Sequence, residues 1–261
     1  MKAPWALAAT AAVLALGLAA CATETTPATA QTAPTARQEA KPLPAGLDPW
    51  NDRDPFPSTY RPLPSRPTAI VGANILTATG VEIDNGVVVM VDGKIAAVGP
   101  AGTAVPAGAD LVDGKGKWVT PGFIDGHSHL GVYPSPEVQA TSDGNEATDP
   151  NTAYVWAEHS VWPSDPGFDR ARAGGVTSLQ ILPGSANLFG GRSVLLKNVP
   201  SITEQGMKFP GAPYGLKMAC GENPKRVYGS KGRTPSTEMG NVAGYRRGWI
   251  DAADYKRRWD D

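Results

Sequence analysis

The residues best placed to do chemistry are Asp125, His127 and His129, within Trp118-Val119-Thr120-Pro121-Gly122-Phe123-Ile124-Asp125-Gly126-His127-Ser128-His129-Leu130. An apolar run broken by Pro-Gly ends in an acid and two histidines at i and i+2. In an extended strand, residues two apart share a face, so both imidazoles would reach one ion. Imidazole and carboxylate donors suit Zn²⁺ and similar divalent cations. The chain has 3 histidines, and two of them sit here. The plainer alternative is a solvated strand end whose histidines bind nothing.

A strand over Trp118 to Asp125 must carry this motif. From Thr68 onward the preceding residues read as short β-branched strands at Ala69–Leu76, Val81–Asp84, Val87–Val91, Lys94–Val98 and Ala109–Val112. Asn85-Gly86 and Asp92-Gly93 fit the two-residue turns of hairpins, which need positive φ at both positions. The sum is an antiparallel meander. After the motif, Tyr133 to Pro150 is a polar loop with Asp143, Asn145 and Glu146 at a pocket mouth, and Thr152 to Ser160 reads as a short helix whose His159 is an ordinary helix or loop histidine. Asp165 to Ala173 is a helix, with Asp165 as N-cap before Pro166, and Gly174-Gly175 ends it. Val176–Leu182 is a strand followed by the turn Pro183-Gly184-Ser185-Ala186-Asn187. Ser193–Asn198 and Tyr214–Cys220 are further strands. Asn241–Trp259 is a helix with Val242, Tyr245, Trp249, Ala253 and Trp259 near one face.

The phrases "PGFID-x-H-x-H", "V-D-G-K-I-A-A-V-G", "GVTS-x-x-x-x-PGSAN-x-x-GG" and "GLKMA-x-GENPKR-x-YG" resemble the amidohydrolase superfamily, in particular a bacterial subgroup related to imidazolonepropionase. The resemblance runs from about Thr68 to the end. It implies a small β composite domain at 68–117 and an incomplete (β/α)₈ barrel at 118–261, an α/β fold with the site at the C-terminal ends of the strands. It implies that His127 and His129 hold a divalent metal, zinc in particular. Glu222 is the preferred further ligand. Lys217 is the alternative, as a bridging carbamate, although it reads as lying near the opposite end of its strand. Ser185 and Asn187 would donate hydrogen bonds to a small-molecule substrate, or else cap their own turn. The activity implied is hydrolysis of an amide or cyclic amide C–N bond through metal-activated water. The family's later histidines and its proton-shuttling aspartate have no counterpart here, since no histidine follows His159. The chain is therefore expected to be inactive alone. A separate chain bearing the missing half is one expected partner. The other reading is a non-catalytic envelope lipoprotein that binds a metal or a partner.

Ala3 to Ala20 is apolar apart from Thr10 after Met1-Lys2 and closes as Leu18-Ala19-Ala20-Cys21, with the chain continuing as Ala22. This reads as a signal peptide over 1–21, shorter than a comfortable membrane span, and it resembles the bacterial lipobox with Cys21 acylated. Two acyl chains hold a protein at a bilayer where one does not. The expected location is the periplasmic side of the bacterial outer membrane. Residues 22–67 are rich in Thr, Ala and Pro, which buries too little surface to offset ordering entropy, and read as a tether. Trp50, Phe56 and Tyr60 would pack on the body as an arm. A net charge of −1 over 261 residues gives no electrostatic case for nucleic acid. The 2 cysteines, Cys21 and Cys220, exclude a disulfide framework.

Overall fold

The computed structural model describes residues 54–260. The signal peptide, Cys21, Trp50 and the tether up to residue 53 lie outside the described residues. Among the described residues no helix is long and apolar enough to cross a membrane.

The first sheet contains β1 (Thr68–Leu76), β2 (Glu82–Val91), β3 (Lys94–Gly99), β4 (Asp110–Asp113) and β5 (Trp118–Val119). Its order is β3-β2-β1-β4, with β5 also paired to β1. The hairpin at Asp92-Gly93 forms with φ of 51° and 71°, as two-residue turns require. Two features of the sequence reading are corrected. The sheet is mixed, because β4 and β5 run parallel to β1. Asn85-Gly86 is no turn. It lies inside β2, and the chain reverses between β1 and β2 at Ala78 and Gly80, both with positive φ. The pattern was ambiguous because a left-handed asparagine serves a strand irregularity as well as a turn. Ala69, Val87 and Val89 form one apolar cluster of this sheet, and Ala73, Ile75 and Val88 another.

Pro121-Gly122 divides the expected strand of 118–125 in two. Trp118-Val119 stays with the first sheet, and β6 (Phe123–Ser128) begins the second. Next come α1 (Pro166–Ala173), β7 (Val176–Ile181), β8 (Phe189–Lys197), α2 (Glu204–Met207), β9 (Gly215–Met218), α3 (Glu222–Gly229) and α4 (Glu238–Asp260). The second sheet has the order β6-β7-β8-β9. β6 and β7 are parallel, with α1 in the crossover, while β8 is antiparallel to both neighbours. The short link through Pro183–Leu188 imposes this, since parallel neighbours need a longer crossover. β9 therefore runs with β6 and β7. The expected helix over 152–160 shrinks to a 3₁₀ turn at Ala157–Ser160. Val132, Phe168, Leu179, Ile181, Val194, Leu196 and Met207 form the core beneath this sheet.

α4 buries only part of the face its apolar residues suggest. Asn241 is buried, Gly244, Tyr245 and Gly248 are half-buried, and Val242 and Trp249 are exposed. The seam is set by small residues. A Cβ at Gly244 would lie 2.3 Å from Leu188 Cδ1, and one at Gly248 2.6 Å from Phe189 Cε2.

Asp165 caps α1 as expected and also ties down the chain after the histidines. Its Oδ1 accepts from Gly167 N at 2.8 Å and Ser135 N at 3.2 Å, and its Oδ2 accepts from Gly131 N at 2.9 Å. Asp165→Ala should remove the cap and leave buried N–H groups unpaired, a loss of roughly 3 kcal/mol. For a unit of this size a melting curve should shift down by roughly 6–12 °C.

Candidate metal centre

His127 occupies the end of β6, Ser128 closes it and His129 follows. The rings of His127 and His129 lie on the same side, with centroids 5.2 Å apart and planes at 89°. His129 Nδ1 lies 2.8 Å from the Leu182 carbonyl oxygen, just past β7. A carbonyl only accepts, so Nδ1 carries a proton, which in the neutral tautomer places the lone pair on Nε2. This is the outer-shell anchor that metal-binding imidazoles commonly have. His127 N donates to Asp125 Oδ1 at 3.1 Å, which fixes the backbone between them.

Lys217 comes from β9. Its Nζ stands 3.2 Å from His127 Nε2. The sequence reading set it near the far end of the strand; in the fold its side chain passes over Gly190 of β8, where an added Cβ would lie 3.4 Å from Lys217 Cγ. Lys217 is 6% exposed. Burial pushes its amine below the usual lysine range. The Lys217 charge, then desolvation, holds His127 below its ordinary value, against a small opposing pull from Asp125. Burial disfavours the charged form of Lys217, and while that amine is charged it disfavours imidazolium at His127.

Glu222 does not join them. It is exposed, the first residue of α3, where its charge suits the helix N-terminus. Lys225 pairs with Glu238 rather than with Glu222. Among the described residues, no three or more His, Cys, Asp or Glu side chains are grouped closely enough to hold a metal. Asn187 is likewise not turned to a substrate. It is 1% exposed, and its amide N–H groups are shared among Glu146 O and Asp149 O, both at 2.7 Å, and Thr152 Oγ1 at 3.0 Å. It staples the 146–152 loop to the turn after β7; Ser185 stays half-buried in that turn. Asn187→Ala should cost about 2–3 kcal/mol, because two half-buried carbonyl contacts and one to a buried hydroxyl lose their donor. Chemical denaturation of the full chain checks this.

The loop expected at a pocket mouth does line one. A cavity of about 330 Å³ is walled by Ser142, Asp143, Asn145 and Glu146 on one side and by Trp156, His159 and Ser160 on another. Pro183, which follows the Leu182 that anchors His129, and Gly190, which the Lys217 side chain crosses, also line it. Asn145 frames the mouth: its Oδ1 accepts from Ala186 N at 3.0 Å and its Nδ2 donates to Tyr133 OH. The Tyr133 ring lies 5.9 Å from that of His129. Burial raises the Tyr133 hydroxyl above the usual tyrosine range, so it stays protonated. The sequence offered Lys217 only as the alternative to Glu222, and it gave no sign of the Tyr133–Asn145 pair.

No family model matches the sequence. The amidohydrolase tasK of Hapsidospora irregularis is 38% identical over 190 residues, covering 69% of this chain and 19% of that protein. The imidazolonepropionase of Stenotrophomonas maltophilia is 34% identical over 118 residues, 39% of this chain and 29% of that one. Among solved structures, an amidohydrolase from Thermotoga maritima aligns with a TM-score of 0.68 at 40% identity, covering 74% of this chain and 49% of that chain. The chain thus spans half or less of the length of the relatives it matches.

Proposed function

Given that the chain belongs to the amidohydrolase superfamily, we propose that it supplies one side of a metal-dependent site that hydrolyses an amide or cyclic amide C–N bond of a small molecule. The observation that carries this is the pair of imidazoles facing each other at a strand end, one anchored through Nδ1 and the other against a buried lysine. On this reading β6, β7 and β9 are opening strands of a (β/α)₈ barrel, whose sites gather at C-terminal strand ends.

The donor set fits a divalent cation, with zinc the best match to imidazole. His127 and His129 would hold it. The third donor is Lys217 rather than Glu222, because only Lys217 reaches the pair. A neutral Lys217 amine can add to carbon dioxide, its nitrogen bonding to the carbon and releasing one proton, so that a carbamate offers two oxygens in place of an ammonium. A divalent ion held there would supply Lewis acidity, polarising a carbonyl and acidifying water. The chain's own residues do the rest. Leu182 O fixes the His129 ring, and Asp125 fixes the backbone at His127. Tyr133, kept protonated, is a donor beside the pair. The cavity wall of Ser142, Asp143 and Asn145 receives the polar end of the substrate. The chain would be held at the outer membrane through acylated Cys21.

A second reading, metal binding without turnover, is favoured by one observation: among the described residues the histidines have no third His, Cys, Asp or Glu beside them. Metal analysis of the purified full chain separates the readings. About one zinc per chain, together with cleavage of N-acyl amino acids or cyclic amides, supports the hydrolase. Zinc without turnover supports the second reading. A folded chain that binds no divalent metal sinks both.

A further inference from the structure

A second polar cluster sits apart from the histidines. Lys208 is 3% exposed. Its Nζ lies 2.5 Å from Glu158 Oε2, 2.8 Å from Asp54 Oδ2, 2.5 Å from Tyr214 OH and 2.7 Å from Phe56 O. Tyr214 OH is also 2.7 Å from Asp54 Oδ1 and 3.0 Å from Glu158 Oε1. Beside them stands Glu204, 5% exposed, neither of whose carboxylate oxygens has a hydrogen-bond partner. The charged groups acting on Glu204 are Glu158, Lys208 and Asp54. Arg192 lies farther out, its guanidinium 4.2 Å from the Trp156 ring and 6.0 Å from that of Tyr214.

Two of the carboxylates belong to the body, Glu158 in the 3₁₀ turn and Glu204 in α2. The third, Asp54, arrives on a segment outside any helix or strand. That segment crosses both elements. Ser58 Oγ donates to Lys208 O at 2.6 Å and Thr59 N to Gln205 O at 2.9 Å. The Phe56 ring meets His159 at 4.8 Å and Trp156 at 5.8 Å, both edge-on. Trp156 and His159 also line the cavity beside the metal centre.

We propose that residues 54–60 form a strap that docks reversibly on the Lys208–Glu158–Tyr214 cluster, that the protonation of Glu204 controls the docking, and that the docked strap braces the Trp156–Ser160 wall of the cavity. The reasoning is a charge count. With Glu204 neutral, Lys208 faces two carboxylates; with Glu204 ionised it faces three. The excess is relieved by releasing Asp54, the only carboxylate of the three that is not built into the body. Release also admits water to Glu204. Burial first, then the charge of Glu158, pushes Glu204 up to about 7, Lys208 opposes, and Asp54 adds to the rise. Burial works against ionised Asp54, yet its bonds to Lys208 and Tyr214 hold its carboxyl below the usual range, so it stays charged at pH 5. The sign follows. A carboxyl whose value is higher in the docked state is protonated more readily there. Docking is therefore strongest at low pH and weakens as pH rises towards about 7, then levels off.

Amide hydrogen exchange of the full chain at pH 5 and pH 8, corrected for intrinsic chemical rates, tests this. The expected result is about tenfold less protection of residues 54–60 and 157–160 at pH 8, the effect of one unit of displacement in Glu204. Glu204→Gln should hold the pH 5 protection at pH 8. Asp54→Asn should expose 54–60 and loosen 157–160 at both pH values; Phe56→Ala, which leaves the ionic cluster intact, should loosen 157–160 as well. Equal protection of wild-type 54–60 at both pH values, or a pH response that persists in Glu204→Gln, overturns the switch. Loss of the strap with 157–160 unchanged overturns the brace.

Discussion

Alanine at His129 is expected to lower the zinc affinity of the full chain by at least 100-fold, with alanine at His127 giving a similar loss. Disturbing an outer-shell partner of a metal-binding histidine alone costs 10–100-fold, and removing the imidazole itself must exceed that. His129 has the stronger claim because its ring is already oriented: Nδ1 is spent on Leu182 O, which turns Nε2 away from that bond as the nitrogen free to ligate. His127 is freer, but the buried Lys217 beside it disfavours the imidazolium that would compete with the metal. The informative contrast is between two further variants. Lys217→Met should weaken zinc binding by about 10–100-fold, on the same scale as loss of a ligand-supporting group. Glu222→Gln should leave it unchanged, because that carboxylate is solvated at the start of α3. Titration against a chromophoric chelator reads all four. An unchanged affinity in Lys217→Met with a loss in Glu222→Gln would restore the glutamate as third ligand and show that α3 moves on binding.

That contrast marks the limit of what the sequence reveals. Local rules were legible. The i, i+2 histidines share a side because strand alternation is a property of neighbouring residues, and Asp165-Pro166 starts α1 because cap chemistry is local too. Asp92-Gly93 makes its turn for the same reason. What was hidden depends on distant partners. Lys217 looked misplaced by its position in β9, yet a long side chain crossing a glycine of β8 delivers its nitrogen to a strand three places away. The amide nitrogen of Asn187, in a turn that matches a family phrase, is occupied by a loop about 40 residues earlier. The face of α4 was only partly legible because hydrophobicity predicts burial only where bulk is wanted; against Leu188 and Phe189 the seam needs Gly244 and Gly248. β8 turned antiparallel because the length of the link after Ile181, rather than the composition of the strand, decides direction.

The Lys208 cluster was invisible in the sequence for the same reason, and it carries the largest expected effect on stability. Lys208→Met keeps most of the stem volume but removes the one cation facing Glu158, whose side chain is 1% exposed, and Asp54. Breaking a buried ion pair from one side costs about 3–5 kcal/mol, since the remaining charge stays buried without compensation. In a unit of this size the melting temperature should fall by roughly 10 °C. The loss should be larger at pH 8 than at pH 5. Without Lys208, nothing opposes the forces that already push Glu204 up to about 7, and a buried carboxyl raised in the folded state costs stability as pH climbs towards that value. Pairing the substitution with Glu158→Gln should return part of the loss, because residues sharing one network couple by about 0.5–3 kcal/mol. If Lys208→Met alone melts within a degree or two of the wild type, the four contacts of its ammonium contribute little net energy. The cluster would then serve to fix where the strap docks rather than how firmly the body holds together, and Asp54→Asn would be the substitution that still moves residues 54–60.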